Sequence, residues 1–337
     1  MSIIVILIVA FICLAGMKRR GDDNYGLVPR SFSNSIKGIG ILVVFFNHIY
    51  GYLGGAVLNE PDSLFFFIVN LVTQLFVASF LFFSGYGVTE SIQIKGSDYV
   101  RNIPKRRLLT TLLNFDIAVV VYIVVVIIIG EPQLTTKQVF LSLIGWESVG
   151  NSNWYIFCIL CCYLFSYLSA RLSENPRIQV ICLVFLSLIY IFVMSVLKES
   201  WWYSTIMAYP FGAICSYLKK EIEKLCRSNF FIVSISAVVV FVVLFYTSTN
   251  NAYLFNLTAI SFCIILLLVG LKLEFKSKIM GWLGDHLFQI YIYQRLPMIV
   301  LCALAPTLAI LHTWVYIGIS FITTIIIALI VPKISLK

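Results

Sequence analysis

Residues 108–130 read LLTTLLNFDIAVVVYIVVVIIIG. Asp116 is the one charged side chain in this run. A helix of about 20 apolar residues, rising about 1.5 Å each, spans the ~30 Å hydrocarbon core of a bilayer. A transmembrane barrel strand would instead alternate apolar and polar positions over about ten residues, and this run does not alternate. The stretch predicts a membrane-spanning helix. Its flanks agree: Lys105, Arg106 and Arg107 precede it, and Gly130 and Pro132 follow it.

The pattern recurs along the chain. Of 337 residues, 61% are hydrophobic and 12% charged, well away from soluble domains. Helices are predicted at 2–16, 36–55, 63–88, 108–130, 153–169, 178–197, 203–218, 229–247, 253–271, 282–303 and 312–331. The fold class is therefore all-α: a polytopic helical bundle with about eleven spans. The loops are too short to fold alone, so residues 31–337 form one membrane domain, preceded by an anchor helix and basic loop at 1–30. Lys18, Arg19 and Arg20 follow the first apolar run, the charge order of an anchor with its N-terminus outside. With eleven spans, every one of the 24 lysines and arginines except Lys137, Lys198 and Arg295 falls on one side. That side is the cytoplasmic one by the positive-inside rule, and the C-terminus lies there too. The net charge of +9 is then a consequence of topology, and no aromatic-basic motif points to nucleic acid. Eight of the nine cysteines sit in apolar stretches and read as small core residues; Cys158, Cys161 and Cys162 have no neighbouring histidine or acid to make a metal site.

An ionisable group in hydrocarbon costs roughly 2.5–3.5 kcal/mol on insertion scales, so such groups usually face an internal cavity. The candidates are Lys37, Asn47, His48, Asp116, Asp285, His286, Gln294 and Arg295, with Gln74, Asn114 and Gln289 as uncharged additions. Lys37 and His48 are eleven residues apart, so at about 100° per residue they share a helix face, roughly 16 Å apart along the axis. A cavity joining them would suit a long, thin substrate with a charged inner end. Taken singly, Lys37 also fits a topology signal that snorkels to the interface, and His48 an interhelical hydrogen bonder. Asp116 either orients His48 or pairs with a basic residue. His286 reads as a capping position and His312 as solvated.

The run Ser35 to His48, with Lys37 ten intervening positions before the histidine, resembles the signature helix of the membrane acyltransferase-3 family. Lysine stands where that family usually carries arginine, which keeps the charge and gives up the bidentate contact. Four further segments agree in order: Phe82 to Gly87, Tyr99 to Leu109, Asn153 to Phe157, and Trp282 to Arg295. The resemblance implies a ten-helix core, with helix 2–16 as an addition, in a bacterial plasma membrane. It implies O-acyl transfer, most often of acetyl, from cytosolic acyl-CoA to a hydroxyl on a surface glycan or glycolipid. Acetyl-CoA would be a co-substrate, with no tightly bound cofactor and no metal. On this reading Lys37, Lys105, Arg106 and Arg107 bind the phosphates. His48 acts as general base or carries the acyl group itself. Ser84, Gly85 and Tyr86 allow close approach near the reacting carbonyl, and Trp154 and Tyr155 stack on sugar or belong to an interfacial aromatic belt. Asn47, Asp116, Gln294 and Arg295 are supporting candidates.

The main rival is a multi-pass transporter or flippase for a lipid-linked glycan. It would show repeats with helices broken at matching places in two halves, and none is visible.

Overall fold

A computed structural model describes residues 1–21, 26–54, 56–130, 133–331 and 333–336. The described residues are all-α apart from one two-stranded ribbon. Eight helical stretches among the described residues are long and apolar enough to cross a bilayer, and one of them, Glu60–Ile129, contains two of the expected spans.

The first helix, α1, covers Ser2–Gly16 and leads into strand β1, Met17–Arg19. β1 pairs antiparallel with β2, Leu273–Phe275, with Lys18 opposite Glu274. Arg20 then caps the ribbon, its Nη1 donating to the Gly270 carbonyl at 2.8 Å. At the other end of α1 the Ser2 amide donates to Asp62 Oδ1 at 2.9 Å, while Trp314 Nε1 donates to Asp62 Oδ2 at 2.9 Å. The added N-terminal helix is thus docked at both ends.

Helix α2, Arg30–Tyr50, is among the most buried of the long apolar helices. It packs on α3, Glu60–Ile103, and on α12, Lys278–Asp285. Its contact with α12 needs glycines: a Cβ on Gly38 would overlap the Met280 carbonyl, and one on Gly284 would overlap that of Asn34. Small residues that let backbones touch are the usual device of membrane helix pairs, where lipid supplies no hydrophobic drive.

The span expected at 36–55 begins six residues earlier, at Arg30, and ends at Tyr50; three others differ in kind from the structure. The helix expected at 63–88 runs on to Ile103, with a break at Gly96, where φ is +58°. Beyond Thr89 its sequence is largely polar; Glu90 pairs with Lys219 at 2.6 Å, and Gln93 donates to Ser216. Pro104 does not end it either. The lost backbone bond is absorbed in a π-helical turn, Pro104–Leu109, that joins α3 to α4, Thr110–Ile129. The span expected at 282–303 is divided: α12 ends at Asp285, α13 covers Leu287–Tyr293 and α14 covers Arg295–Leu304.

The third difference shapes the site. Only Ala208–Tyr217 of the expected 203–218 is helical (α8), about 15 Å at 1.5 Å per residue. Ser200–Trp202 is a single 3-10 turn, and 203–207 is irregular. Unwound backbone at membrane depth must find partners within the protein. Asn256, on α11 (Ala252–Lys272), supplies them: its Oδ1 accepts from the Met207 amide at 3.1 Å and its Nδ2 donates to the Tyr203 carbonyl at 3.1 Å. α8 packs on α3 through two more glycines. A Cβ on Gly85 would overlap the Tyr209 carbonyl, and one on Gly212 that of Phe82.

The remaining helices are α5 (Thr136–Leu143), α6 (Trp154–Leu172), α7 (Pro176–Leu197), α9 (Lys219–Ser228), α10 (Phe230–Thr247), α15 (Pro306–Leu311) and α16 (Thr313–Ile330). One end of the bundle, carrying Lys18, Arg19, Lys105, Arg106, Lys219 and Lys276, is here called the basic face.

Candidate active site

His48 lies in the last turns of α2, towards the face opposite the basic one. It lines a cavity of about 320 Å³. Asn47 and Val44 come from the same helix, Asn70, Thr73, Gln74 and Val77 from α3, Trp154 from the start of α6, Trp201 from the 3-10 turn and Tyr291 from α13. The wall is therefore mostly amide, hydroxyl and aromatic. Two shielded polar atoms there, Gln74 Oε1 and the Tyr291 hydroxyl, have no hydrogen-bond partner among the described residues. The Tyr291 ring stands 6.2 Å from His48 and 5.3 Å, edge-on, from Tyr155, so Tyr155 backs the wall.

Among the described residues the imidazole has one hydrogen-bonding neighbour, the Ser152 hydroxyl, 3.4 Å from Nδ1. Ser152 belongs to the short loop before α6, and that loop is tightly held. Asn151 Oδ1 accepts from the Val149 amide, Ser148 Oγ donates to the Asn151 carbonyl at 2.7 Å, and Asn153 Nδ2 donates to the Gly145 carbonyl at 2.9 Å. Gly145 and Gly150 take φ of +74° and +101°, which side chains with a Cβ rarely adopt. Arg295 fastens the loop from α14: its Nη1 donates to the Asn151 carbonyl at 3.3 Å and its Nε to the Tyr52 hydroxyl at 3.0 Å. Arg295 thus sits behind the loop and does not line the cavity. Gln294 is fully buried, and its amide donates to the Tyr291 carbonyl at 3.3 Å, steadying the tyrosine that does.

Asp116 is not among the residues lining the cavity, and its Oδ1 has no hydrogen-bond partner among the described residues. The group beside His48 is a serine from the α5–α6 connection. Nothing in sequence marked Ser152 or Trp201. By contrast Asn70, Thr73 and Gln74 follow the i, i+3, i+4 spacing of one helix face inside an apolar run, a signal that was there to read.

Lys37 lies three turns closer to the basic face. Its Nζ is 5.7 Å from the centre of the Phe83 ring. Arg107, from the π-helical turn, points inward over the Tyr163 ring at 5.9 Å and donates from Nε to the Tyr99 hydroxyl at 3.1 Å. Arg107 and Asp285 both lie within electrostatic reach of Lys37, and Asp285 also accepts from Asn34 at 2.6 Å. Asn114 clamps the C-terminal tail by two reciprocal bonds to Ile334, each 2.9 Å. That clamp sets the exposed Lys333 nearby, within electrostatic reach of both Arg107 and Asp285. Lys105 and Arg106 are exposed on the outer side of the same turn. Of the Ser84-Gly85-Tyr86 group, Gly85 meets α8 and Tyr86 is buried, which leaves Ser84 half-buried one residue from Phe83.

Lys37 and His48 therefore share a helix but not a cavity. The lining of the His48 cavity stops at Val44. Between the two, Gly40 is filled by the rings of Phe76 and Phe80 from α3. Threading between the two sites would require these rings to move.

No curated protein and no solved structure matches the chain. A family model described as an acyltransferase domain, that of the acyltransferase-3 family, matches residues 30–331. The match begins where α2 begins and leaves α1 outside it. It takes in His48, its cavity and the cationic cluster, and the chain belongs to the acyltransferase-3 family of membrane acyltransferases.

Proposed function

We propose that this acyltransferase moves an acyl group, most simply acetyl, from cytosolic acyl-CoA to a hydroxyl of a cell-surface polysaccharide or its lipid-linked precursor. The observation that carries the reading is the division of α2: a cationic cluster around Lys37 towards the basic face, and an imidazole in a polar, aromatic-walled cavity three turns beyond. The basic face is the cytosolic one in this reading, and the membrane is a bacterial plasma membrane. Acyl-CoA is polyanionic and would meet Lys37, Arg107, Lys105 and Arg106 with its phosphates.

His48 takes the proton of the acceptor hydroxyl at Nε2. The hydroxyl oxygen attacks the thioester carbonyl, the C–S bond breaks, and the departing CoA thiolate recovers the proton from His48. Nε2 is basic only when the neutral ring carries its proton on Nδ1, and the Ser152 oxygen is placed to accept that proton's hydrogen bond. Ser152 is thus a positioning residue. Its 3.4 Å separation is long, as catalytic bonds often are before substrate tightens them.

The donor half of this reading is tested with purified protein in lipid nanodiscs and radiolabelled acetyl-CoA. Lys37→Arg is expected to keep the wild-type KM for acetyl-CoA, because charge is retained. Lys37→Ala is expected to raise it roughly ten- to a hundred-fold, the value of a hydrogen bond to a charged group at ~1.5–3 kcal/mol. One KM shared by all three forms would reduce Lys37 to a topology marker.

A further inference from the structure

The unwound segment before α8 opens a second cavity beside the first. It has a volume of about 890 Å³ and lies between residues 200–204 and the α10–α11 connection, 248–252. Asn70, Gln74 and Trp201 line both cavities, so the two spaces share a wall. The larger one is on the face away from the basic end, the same side as His48 on α2. Its size falls within the roughly 300–1,000 Å³ of small-molecule sites.

Its chemistry is narrow. The side chains lining it include Ser200, Ser204, Thr249 and Asn250, and no charged side chain lines it among the described residues. The Lys198–Glu147 ion pair, two residues before Ser200, is closed on itself, with Lys198 Nζ held against the rings of Trp146 and Trp202, and the exposed Glu199 is not among the lining residues. Two aromatic rings remain open: Trp201 is 45% exposed and Tyr253 57%. Gln74 Oε1, shielded and without a partner among the described residues, is an acceptor in the shared wall.

We propose that this outer cavity is the acceptor subsite and that it takes an uncharged sugar. The inference rests on the acyltransferase reading above and names its acceptor. Amides and hydroxyls satisfy sugar hydroxyls, and exposed indole and phenol faces receive the apolar faces of a pyranose. A carboxylate or phosphate would lose its water there and meet no cation. A sugar stacked on Trp201 directs its next hydroxyl past Gln74 towards His48, because both side chains belong to both spaces. The unwinding at 203–207, held open by Asn256, is what makes room for it.

The test uses the purified full chain and a panel of radiolabelled tetrasaccharides of neutral hexoses and deoxyhexoses, each with a counterpart carrying one hexuronate. Equilibrium binding is measured on wild type and on two rim substitutions from opposite walls, Asn250→Trp and Ser200→Trp, so that one misfolded variant does not end the experiment. Acetyl transfer from acetyl-CoA to the same sugars is measured in parallel. At least one neutral sugar should bind saturably, its uronate at least ten-fold more weakly, and a folded rim variant should weaken the neutral sugar at least ten-fold. Equal or tighter uronate binding, no saturable binding by any sugar, or rim variants within two-fold of wild type would overturn the subsite. Binding that obeys these rules with no acetyl transfer keeps the subsite and removes the acetyl-CoA reading. Transfer unaffected by either rim variant keeps the enzyme and removes the subsite.

Discussion

On the proposed mechanism, His48→Ala is expected to lower acetyl transfer by roughly 10²–10⁴-fold, the range that a general acid–base group supplies. The loss is expected in kcat, measured by label transfer under saturating acetyl-CoA, in protein that remains monodisperse in detergent. Folding should survive because the ring lines a cavity and its one hydrogen-bonding neighbour among the described residues is Ser152, at 3.4 Å. Truncation enlarges a space that already exists. His48→Gln sharpens the experiment. Its amide can still reach Ser152 but cannot take a proton, so it should be as inactive as the alanine. A glutamine variant with more than a tenth of wild-type turnover would make His48 a hydrogen-bonding residue.

Gly85→Ala and Gly38→Ala are expected to fail earlier, at folding. In each case the new methyl group meets a backbone carbonyl of a neighbouring helix, that of Tyr209 or of Met280, and not a flexible side-chain tip. Neither carbonyl moves without its helix. Overpacking a core typically costs about 1–3 kcal/mol, and rigid opposing backbone places these two at or above the upper end. Thermal aggregation of detergent-solubilised protein should show a clear loss of stability or very poor yield. Gly87, one turn-neighbour of Gly85 with no atom near a would-be Cβ, is the control: Gly87→Ala should behave as wild type. This assigns Gly85 a task in closing α3 on α8. If Gly85→Ala were fully stable yet inactive, the glycine would instead belong to the thioester site.

The sequence carried the spans well where hydropathy and helix coincide. The helices expected at 108–130, 229–247 and 253–271 appear as Thr110–Ile129, Phe230–Thr247 and Ala252–Lys272. Hydropathy marks where a chain leaves lipid, and not where a helix ends. That is why α3 outruns 63–88 by polar turns braced through Glu90 and Lys219. Nor does it distinguish a helix from apolar chain whose peptide groups are bonded from elsewhere. The segment 203–207 is irregular, and its Tyr203 carbonyl and Met207 amide are bonded by Asn256, some fifty positions away. The same limit governs the site. Lys37 and His48 stood out as ionisable groups in apolar runs. Ser152 and Trp201 did not, since tertiary folding alone brings a loop serine and a surface tryptophan to an imidazole on α2. Asp116 drew attention for its charge in an apolar helix, and the structure places it away from the cavity lining.

The claim on which the rest depends is that donor and acceptor reach His48 from opposite faces of the membrane. Right-side-out vesicles from producing cells, loaded with radiolabelled acetyl-CoA and washed, put the thioester inside and the surface polysaccharide outside. The account predicts label in the external polysaccharide fraction, absent when the vesicles carry His48→Ala. Label that appears only when acetyl-CoA is added outside would contradict it.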